Sequence, residues 1–359
     1  MRIHLELSSV KADLGTGLFL AIATLGLSVI ALAPANVEPR SFQDFSIVGT
    51  TRPNFGVRAE YVVGPRSALK ASPQALPYQY VREKLRLDAV HALARGTGIA
   101  IAIIDSEIDG THPEIRGAVG DRYDATGAEG DPHPHGTGIA GAIVARGRLM
   151  GVAPGAHILG ARAFWGHAGA SETTTYNIIK ALDWAVRNNV RIINMSFAGP
   201  RDPALERALK AADSRGVVLV AAVGNAGPNA PPLFPAAHPH VIAVTATDAQ
   251  NRLFADANHG RHVALAAPGV DIVAPAPAGA YQEVTGTSIA AAHVSGVVAL
   301  MLERNPALTP AAVRKILTAS ATPLGPADQY GAGLVDPMAA LELAAPRLAT
   351  VWGRSQTAN

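Results

Sequence analysis

Ile99-Ala100-Ile101-Ala102-Ile103-Ile104-Asp105 decides the fold: six apolar residues without a charge, closed abruptly by an aspartate. Apolar and polar residues in alternation would mark a strand with one wet face, whereas an unbroken apolar run of this length marks a strand buried on both. Runs of the same texture follow at 191–197, 217–223, 241–247 and 262–266. Between several of them the apolar spacing becomes helical, as over 173–188 and 204–215. Strands alternating with helices predict an α/β fold, a mostly parallel sheet with helices on both faces and hence three layers. Ligands of such sheets bind beyond the carboxyl ends of the strands. Asp105, Ser196 and Asn225 stand at such ends and become candidates for chemistry.

Composition narrows the function. The chain has 359 residues, 48% of them hydrophobic, enough to fill a large core. Thirty Lys and Arg against 28 Asp and Glu leave a net charge of +2, which argues against a nucleic-acid partner. With no cysteine there is no disulfide framework, no thiolate metal site and no cysteine nucleophile, so covalent catalysis must use another residue. Thirty-five Gly and 26 Pro without a repeat indicate many tight turns between elements.

The ends differ from the middle. Residues 14–37 carry no charge, are most apolar over 17–33, and follow a stretch with Arg2 and Lys11. That pattern reads as an export segment, with Ala33-Pro34-Ala35 as the small residues of a cleavage site and Asn36 as the first mature residue. The run also approaches the ~20 apolar residues that span a bilayer, so an uncleaved anchor is the second reading. Glu6 and Asp13 dilute the positive charge of the leading stretch. The expected organisation is therefore a signal peptide or membrane anchor (1–35) and a linker or short pro-segment (36–77), with Pro39, Pro53, Pro65, Pro73 and Pro77. A catalytic domain (78–345) and a C-terminal tail (346–359) complete it. A secreted or periplasmic monomer is expected, attached to the membrane through 14–37 if that segment is not removed.

Three short sequences supply an acid, a base and a nucleophile: Ile103-Ile104-Asp105-Ser106, His135-Gly136-Thr137-Gly138 and Gly286-Thr287-Ser288-Ile289-Ala290. A serine hydroxyl at neutral pH needs an imidazole to take its proton, and the imidazole needs a carboxylate to fix its tautomer. Gly286 before Ser288 and the apolar helical pattern of 289–302 after it place the hydroxyl at the positive end of a helix. Asn225, after a buried run and before Gly227-Pro228, offers a side-chain amide to a developing oxyanion. Singly, each of these residues has a plainer reading as a helix cap, a core histidine, a strand-end cap or a turn. Together and in order they read as one site.

The order Asp, His, Ser, and the motifs themselves, resemble the subtilase family of serine proteases over roughly residues 78–345. Asp105 precedes His112-Pro113-Glu114, His135 opens His-Gly-Thr-x-x-Ala-Gly, and Ser288 lies in Gly286-Thr287-Ser288-Ile289-Ala290-Ala291-Ala292-His293. Val220 to Gly227 is similar to the segment bearing the family's oxyanion asparagine. The resemblance implies a subtilisin-like fold and a serine endopeptidase acting on proteins or peptides, with Asp105, His135 and Ser288 as the triad and Asn225 in the oxyanion hole. It also implies substrate-binding segments at Ser196-Phe197-Ala198 and Ala222-Val223-Gly224, with Gly169-Ala170-Ser171 as an outer wall. Phe197, Ala198 and Val223 are each larger than the family's usual residue, which predicts a narrower pocket.

Further departures are Ala292 for a proline and Gly138 for a second histidine. The short span 145–150 stands where relatives have a longer calcium-binding loop. No cofactor is required and no metal ligand is assigned, although Asp109, Asp121, Asp124 and Asp131 leave room for weak calcium binding. Residues 36–77 are short for the family's folded pro-domain, so folding without it is expected. The competing readings are a non-catalytic module that holds peptides in the same groove, and an esterase or peptide ligase with the same nucleophile. Covalent labelling of Ser288 separates the first from an enzyme.

Overall fold

A sheet of seven parallel strands forms the middle layer, in the order β11 (Val263–Pro268), β10 (Val241–Thr247), β9 (Val218–Ala222), β8 (Ile192–Met195), β3 (Ala100–Asp105), β5 (His157–Arg162), β4 (Val119–Asp124). The computed structural model describes residues 56–59, 62–63, 78–127, 130–167 and 170–346. The export segment at 14–37, most of the stretch 36–77 and the tail from 347 on lie outside the described residues. Two short pieces of 36–77 are described, strands β1 (Gly56–Ala59) and β2 (Val62–Val63).

Alternate residues of the central strand serve opposite layers, which is why it reads as an unbroken apolar run. Ile101 and Ile103 pack into a core with Ile139 and Ile143 of α3 (Pro134–Val144) and Val294 and Val297 of α6 (Thr287–Arg304). Ala102 and Ile104 face the other core, with Ile178 and Leu182 of α4 (Thr175–Arg187) and Leu205 and Leu209 of α5 (Pro203–Ser214). Helices α1 (Tyr80–Lys84), α2 (Leu87–His91), α7 (Pro310–Ser320) and α9 (Pro337–Ala344) send apolar residues into the first core; α8 (Ala327–Tyr330) sits beside β11. Helix α6 is apolar all round and buried from Thr287 to Leu302, as a helix enclosed in a core must be. It runs unbroken through Ala292, the position of the missing proline.

The helical pattern over 173–188 begins later than its periodicity suggests. Thr173 belongs to β7 (Ala170–Thr174), and the Thr174 hydroxyl accepts the Asn177 N–H (3.3 Å) to cap α4. Strand β7 forms a small antiparallel sheet with β6 (Trp165–His167) and β1; β12 (Ile272–Ala276), β13 (Ala280–Thr285) and β2 form another.

The short turn at 145–150 is closed by the protein itself. The buried Glu114 carboxylate accepts the backbone N–H groups of Gly147 (3.1 Å), Arg148 (2.9 Å) and Leu149 (3.0 Å) and the Tyr281 hydroxyl (2.7 Å). Burial and the neighbouring carboxylate push Tyr281 up to about 12, so it remains a donor through the neutral range.

His293 sets a pH dependence. Its ring is fully buried in α6, Nδ1 lies 2.9 Å from the Pro268 carbonyl oxygen, and burial pushes its pKa down to about 4. Because the unfolded chain binds this proton first, near pH 6.5, the stabilisation is complete above that pH and is lost as pH falls toward about 4. Between pH 7 and pH 4.5 the wild type should lose about 2 kcal/mol more unfolding free energy than His293→Gln, measured by urea titration. Burial also lowers His91, His238 and His262, and these cancel in the difference. Equal losses in the two proteins would refute the assignment.

Candidate active site

The sheet's order reverses at β3: the next two parallel strands, β4 and β5, lie to one side, and the chain then crosses to β8 on the other. A crevice opens beyond the carboxyl ends of β3 and β8, where Asp105 and Ser196 stand. Asp105 is 3% exposed, and its Oδ1 accepts from His135 Nδ1 (2.7 Å), the Ser106 N–H (2.7 Å) and the Ser106 hydroxyl (2.9 Å). The Ser106 oxygen in turn accepts the Gly136 N–H at 3.1 Å, tying the end of β3 to the start of α3.

His135 is held by its position in the first turn of α3. Pro134 occupies the first helical position, and His133 Nδ1 accepts the His135 N–H (3.2 Å) as the cap. A side chain on Gly136 would meet the Ser106 carbonyl oxygen at 2.5 Å, so only glycine lets the imidazole approach Asp105 this closely. With Nδ1 facing a carboxylate, Nε2 is the ring's basic nitrogen.

Ser288 is the second residue of α6. Its hydroxyl donates to the Ser196 carbonyl (3.0 Å), and the Ser196 hydroxyl donates to the Ser288 carbonyl (2.9 Å). Buried Asn194 extends this lock, donating to Ser196 Oγ (2.8 Å) and accepting from Ser295 Oγ (2.9 Å). The helix that carries Ser288 is thereby tied to the end of β8 by partnered polar groups. One cleft is lined by His135, Gly138, Gln282, Thr285, Gly286 and Ser288, so the imidazole and the hydroxyl share it.

Asn225, three residues beyond β9, is oriented by Thr287. Its Oδ1 accepts both the Thr287 N–H (3.0 Å) and the Thr287 hydroxyl (2.8 Å), whose oxygen accepts the Gly224 N–H (3.2 Å). With the carbonyl end so engaged, Nδ2 is the end toward Gly286, where an added Cβ would lie 3.1 Å from it. Ser106, Asn194, Ser295 and Thr287 were not read as functional from the sequence. Asn194 alone carried a signal, a polar residue inside an apolar run.

The sequence profile described as the Subtilase family matches residues 96–333. The chain belongs to the subtilase family. It is 35% identical to Subtilisin E of Bacillus subtilis (strain 168) over 279 residues, 75% of this chain and 72% of that protein. Subtilisin of Bacillus pumilus is 34% identical over 75% of this chain and is covered completely. Among solved structures, fervidolysin from Fervidobacterium pennivorans, described as a keratinolytic enzyme related to subtilisin, aligns with a TM-score of 0.68 at 28% identity. That alignment covers 80% of this chain and 51% of fervidolysin, so the chain spans about half of fervidolysin's length. This subtilase is a serine-type endopeptidase.

The remaining residues find clear places in the subtilase fold. Phe197 is buried against Phe164, with ring centroids 5.1 Å apart, and Val223 belongs to the same core beneath α4 and α5. Both side chains are taken up in that core. Ala222 is buried on the opposite face of the sheet. Ala198 and Gly224 meet: a Cβ on Gly224 would lie 3.3 Å from that of Ala198 and 2.9 Å from Leu233 Cδ1, and Gly224 has φ +105°. Gly138 leaves room for the Gln282 amide, which donates to the Pro134 (2.8 Å) and Pro275 (3.2 Å) carbonyls.

Metal ligation has plainer substitutes. In His112-Pro113-Glu114, His133-Pro134-His135 and His238-Pro239-His240 the first imidazole's Nδ1 accepts the N–H two residues on, at 3.1, 3.2 and 3.3 Å. Asp109 and Asp124 each accept from the threonine two residues on, through both its N–H and its hydroxyl. Among the described residues no three His, Asp or Glu side chains converge.

Proposed function

We propose that this subtilase cuts peptide bonds in proteins through an acyl-enzyme on Ser288. The observation that carries the reading is the buried 2.7 Å contact of Asp105 with Nδ1 of His135, which lines one cleft with Ser288. The Ser288 hydroxyl turns from the Ser196 carbonyl to His135 Nε2 and attacks the substrate carbonyl as the imidazole takes its proton. Asp105 holds the tautomer and stabilises the imidazolium, which then protonates the leaving amine. Water repeats the sequence on the ester and frees the enzyme. Asn225 Nδ2 and the Ser288 N–H are the donors for the oxyanion.

An extended substrate is held by backbone pairing along Ser196-Phe197-Ala198, with Ala222-Val223-Gly224 across from it. None of these steps asks for a cofactor. The enzyme acts as a monomer outside the cytoplasm, exported by residues 14–37.

A serine-directed fluorophosphonate tests the reading: the adduct should map to Ser288 by peptide mass spectrometry and be absent from Ser288→Ala. A folded wild type without an adduct would overturn it. Asn225→Ala should lower kcat by about 10²- to 10³-fold, the range known for the equivalent donor in subtilisin, with KM nearly unchanged. An effect confined to KM would place Asn225 in substrate binding instead.

A further inference from the structure

The connection between β10 and β11 returns to the loop that carries Asn225 and grips it at three points. The Asn258 N–H donates to the Gly224 carbonyl (3.0 Å), the Ala226 N–H donates to Asn258 Oδ1 (2.8 Å), and the Gly227 N–H donates to the Asp256 carbonyl (2.8 Å). Asn258 therefore holds the residues on both sides of Asn225, one with its backbone and the other with its side chain. It is fully buried, as is Ala257 before it. The Gly224 backbone lies against the amide: a Cβ added there would stand 3.3 Å from Asn258 Cγ.

The loop has to be held from outside. Gly224 and Gly227 have φ +105° and +92°. Glycine reaches such values without strain but reaches many others as easily, so the chain around Asn225 does not fix its own course. Thr287 controls a different thing. It engages the Asn225 side-chain oxygen and so decides which end of that amide faces the cleft once the backbone is in place. An oxyanion donor is worth most when it is aimed before the charge develops, and that requires the backbone beneath Asn225 to be as well placed as its side chain.

The orientation of the Asn258 amide follows from its partner. Only an oxygen can accept the Ala226 N–H, so Nδ2 is the other end, and it is buried with no hydrogen-bond partner among the described residues. A buried donor left unpartnered lowers stability. An apolar residue of similar size would fill the space without that penalty, but it would not hold Ala226.

We propose that Asn258 is a positioning residue for the oxyanion donor, acting on the reaction through Asn225 alone. This rests on the function proposed above, in which Asn225 Nδ2 receives the oxyanion. Asn258 is buried beneath the loop and does not meet the substrate. Its contribution therefore falls on the transition state, where the oxyanion forms, and not on the binding of the peptide.

A double-mutant cycle tests this. Asn225→Ala, Asn258→Ala and the double variant would be assayed with a fluorogenic peptide copied from a casein site that the wild type cuts, with thermal unfolding alongside. Asn258→Ala should lower kcat about tenfold, the effect of one well-made hydrogen bond, and leave KM within about twofold. The double variant should be no slower than Asn225→Ala, because the residue that Asn258 positions is already gone. Asn258→Ser leaves a smaller hole and has no atom in the Oδ1 position, so it should give the same cycle with less risk to folding.

A further loss of about tenfold in the Asn225→Ala background would overturn the proposal, since Asn258 would then act on the fold at large. So would a wild-type kcat in Asn258→Ala or Asn258→Ser. Either result leaves the peptidase reading standing. If Asn225→Ala itself kept the wild-type kcat, the oxyanion role of Asn225 would fall and the role of Asn258 with it.

Discussion

Ser288→Ala should lower the hydrolysis of casein by about 10⁶-fold, the size known for the equivalent loss in subtilisin, while leaving the fold's stability within about 1 kcal/mol. The large effect on rate follows from what remains. Without the hydroxyl there is no acyl-enzyme, and His135 and Asp105 have no proton to move. The oxyanion donors and the groove still act on a water attack, which accounts for a residual rate above solvent. The small effect on stability follows from the lock around the residue. Ser288 loses one hydrogen bond, to the Ser196 carbonyl, but the Ser196 hydroxyl still reaches the backbone carbonyl of residue 288 and Asn194 still ties Ser196 to Ser295. Kinetics on protein repurified from an expression strain without a background protease, with thermal unfolding alongside, would check both halves. A loss of less than about tenfold would remove Ser288 from the chemistry.

What the sequence revealed, and what it hid, have separate physical causes. Asp105, His135, Ser288 and Asn225, the residues of the proposed site, stand out in the sequence because the proposed chemistry needs those residue types, and the neighbouring glycines fit the same site: a side chain at 136 would strike Ser106 and one at 286 would crowd Asn225. The central strand was legible because both faces are buried, which erases alternation. That same erasure leaves the faces of Phe197 and Val223 unreadable from the sequence. In a segment buried on both sides, residue size gives no clue to which face a side chain joins, and both belong to the core under α4 and α5. β4 was missed because Val119–Asp124, at the sheet's edge, carries two aspartates and an arginine in a half-exposed setting. The β12–β13 hairpin lay in a stretch whose prolines and glycines read as turns. β1 and β2 have no local signature at all, since their partners are remote in the chain.

Asp105→Asn should cost about 10⁴-fold in kcat, the loss known for the equivalent change in an unrelated serine protease, with KM nearly unchanged because the buried carboxylate faces His135 and Ser106. The amide has two orientations, and the structure discriminates between them. If its oxygen takes the Oδ1 position, it still accepts from the Ser106 N–H, the Ser106 hydroxyl and His135 Nδ1, but it is neutral and leaves the imidazolium formed in the transition state without its counter-charge. If its nitrogen takes that position, donor faces donor at the rigid Ser106 N–H, and the imidazole must give up its Nδ1 proton, which places the remaining proton on the nitrogen that has to act as base. The backbone donor favours the first orientation, so the loss comes chiefly from missing charge and not from a reversed tautomer. Ser106→Ala separates the two causes, since it keeps the carboxylate's charge and removes one donor to it, and should lower kcat by only about tenfold. The two variants should also react with fluorophosphonate in proportion to their kcat, because both reactions draw on the same base. If Asp105→Asn kept more than a tenth of the wild-type rate, the carboxylate 2.7 Å from His135 would have a structural role only.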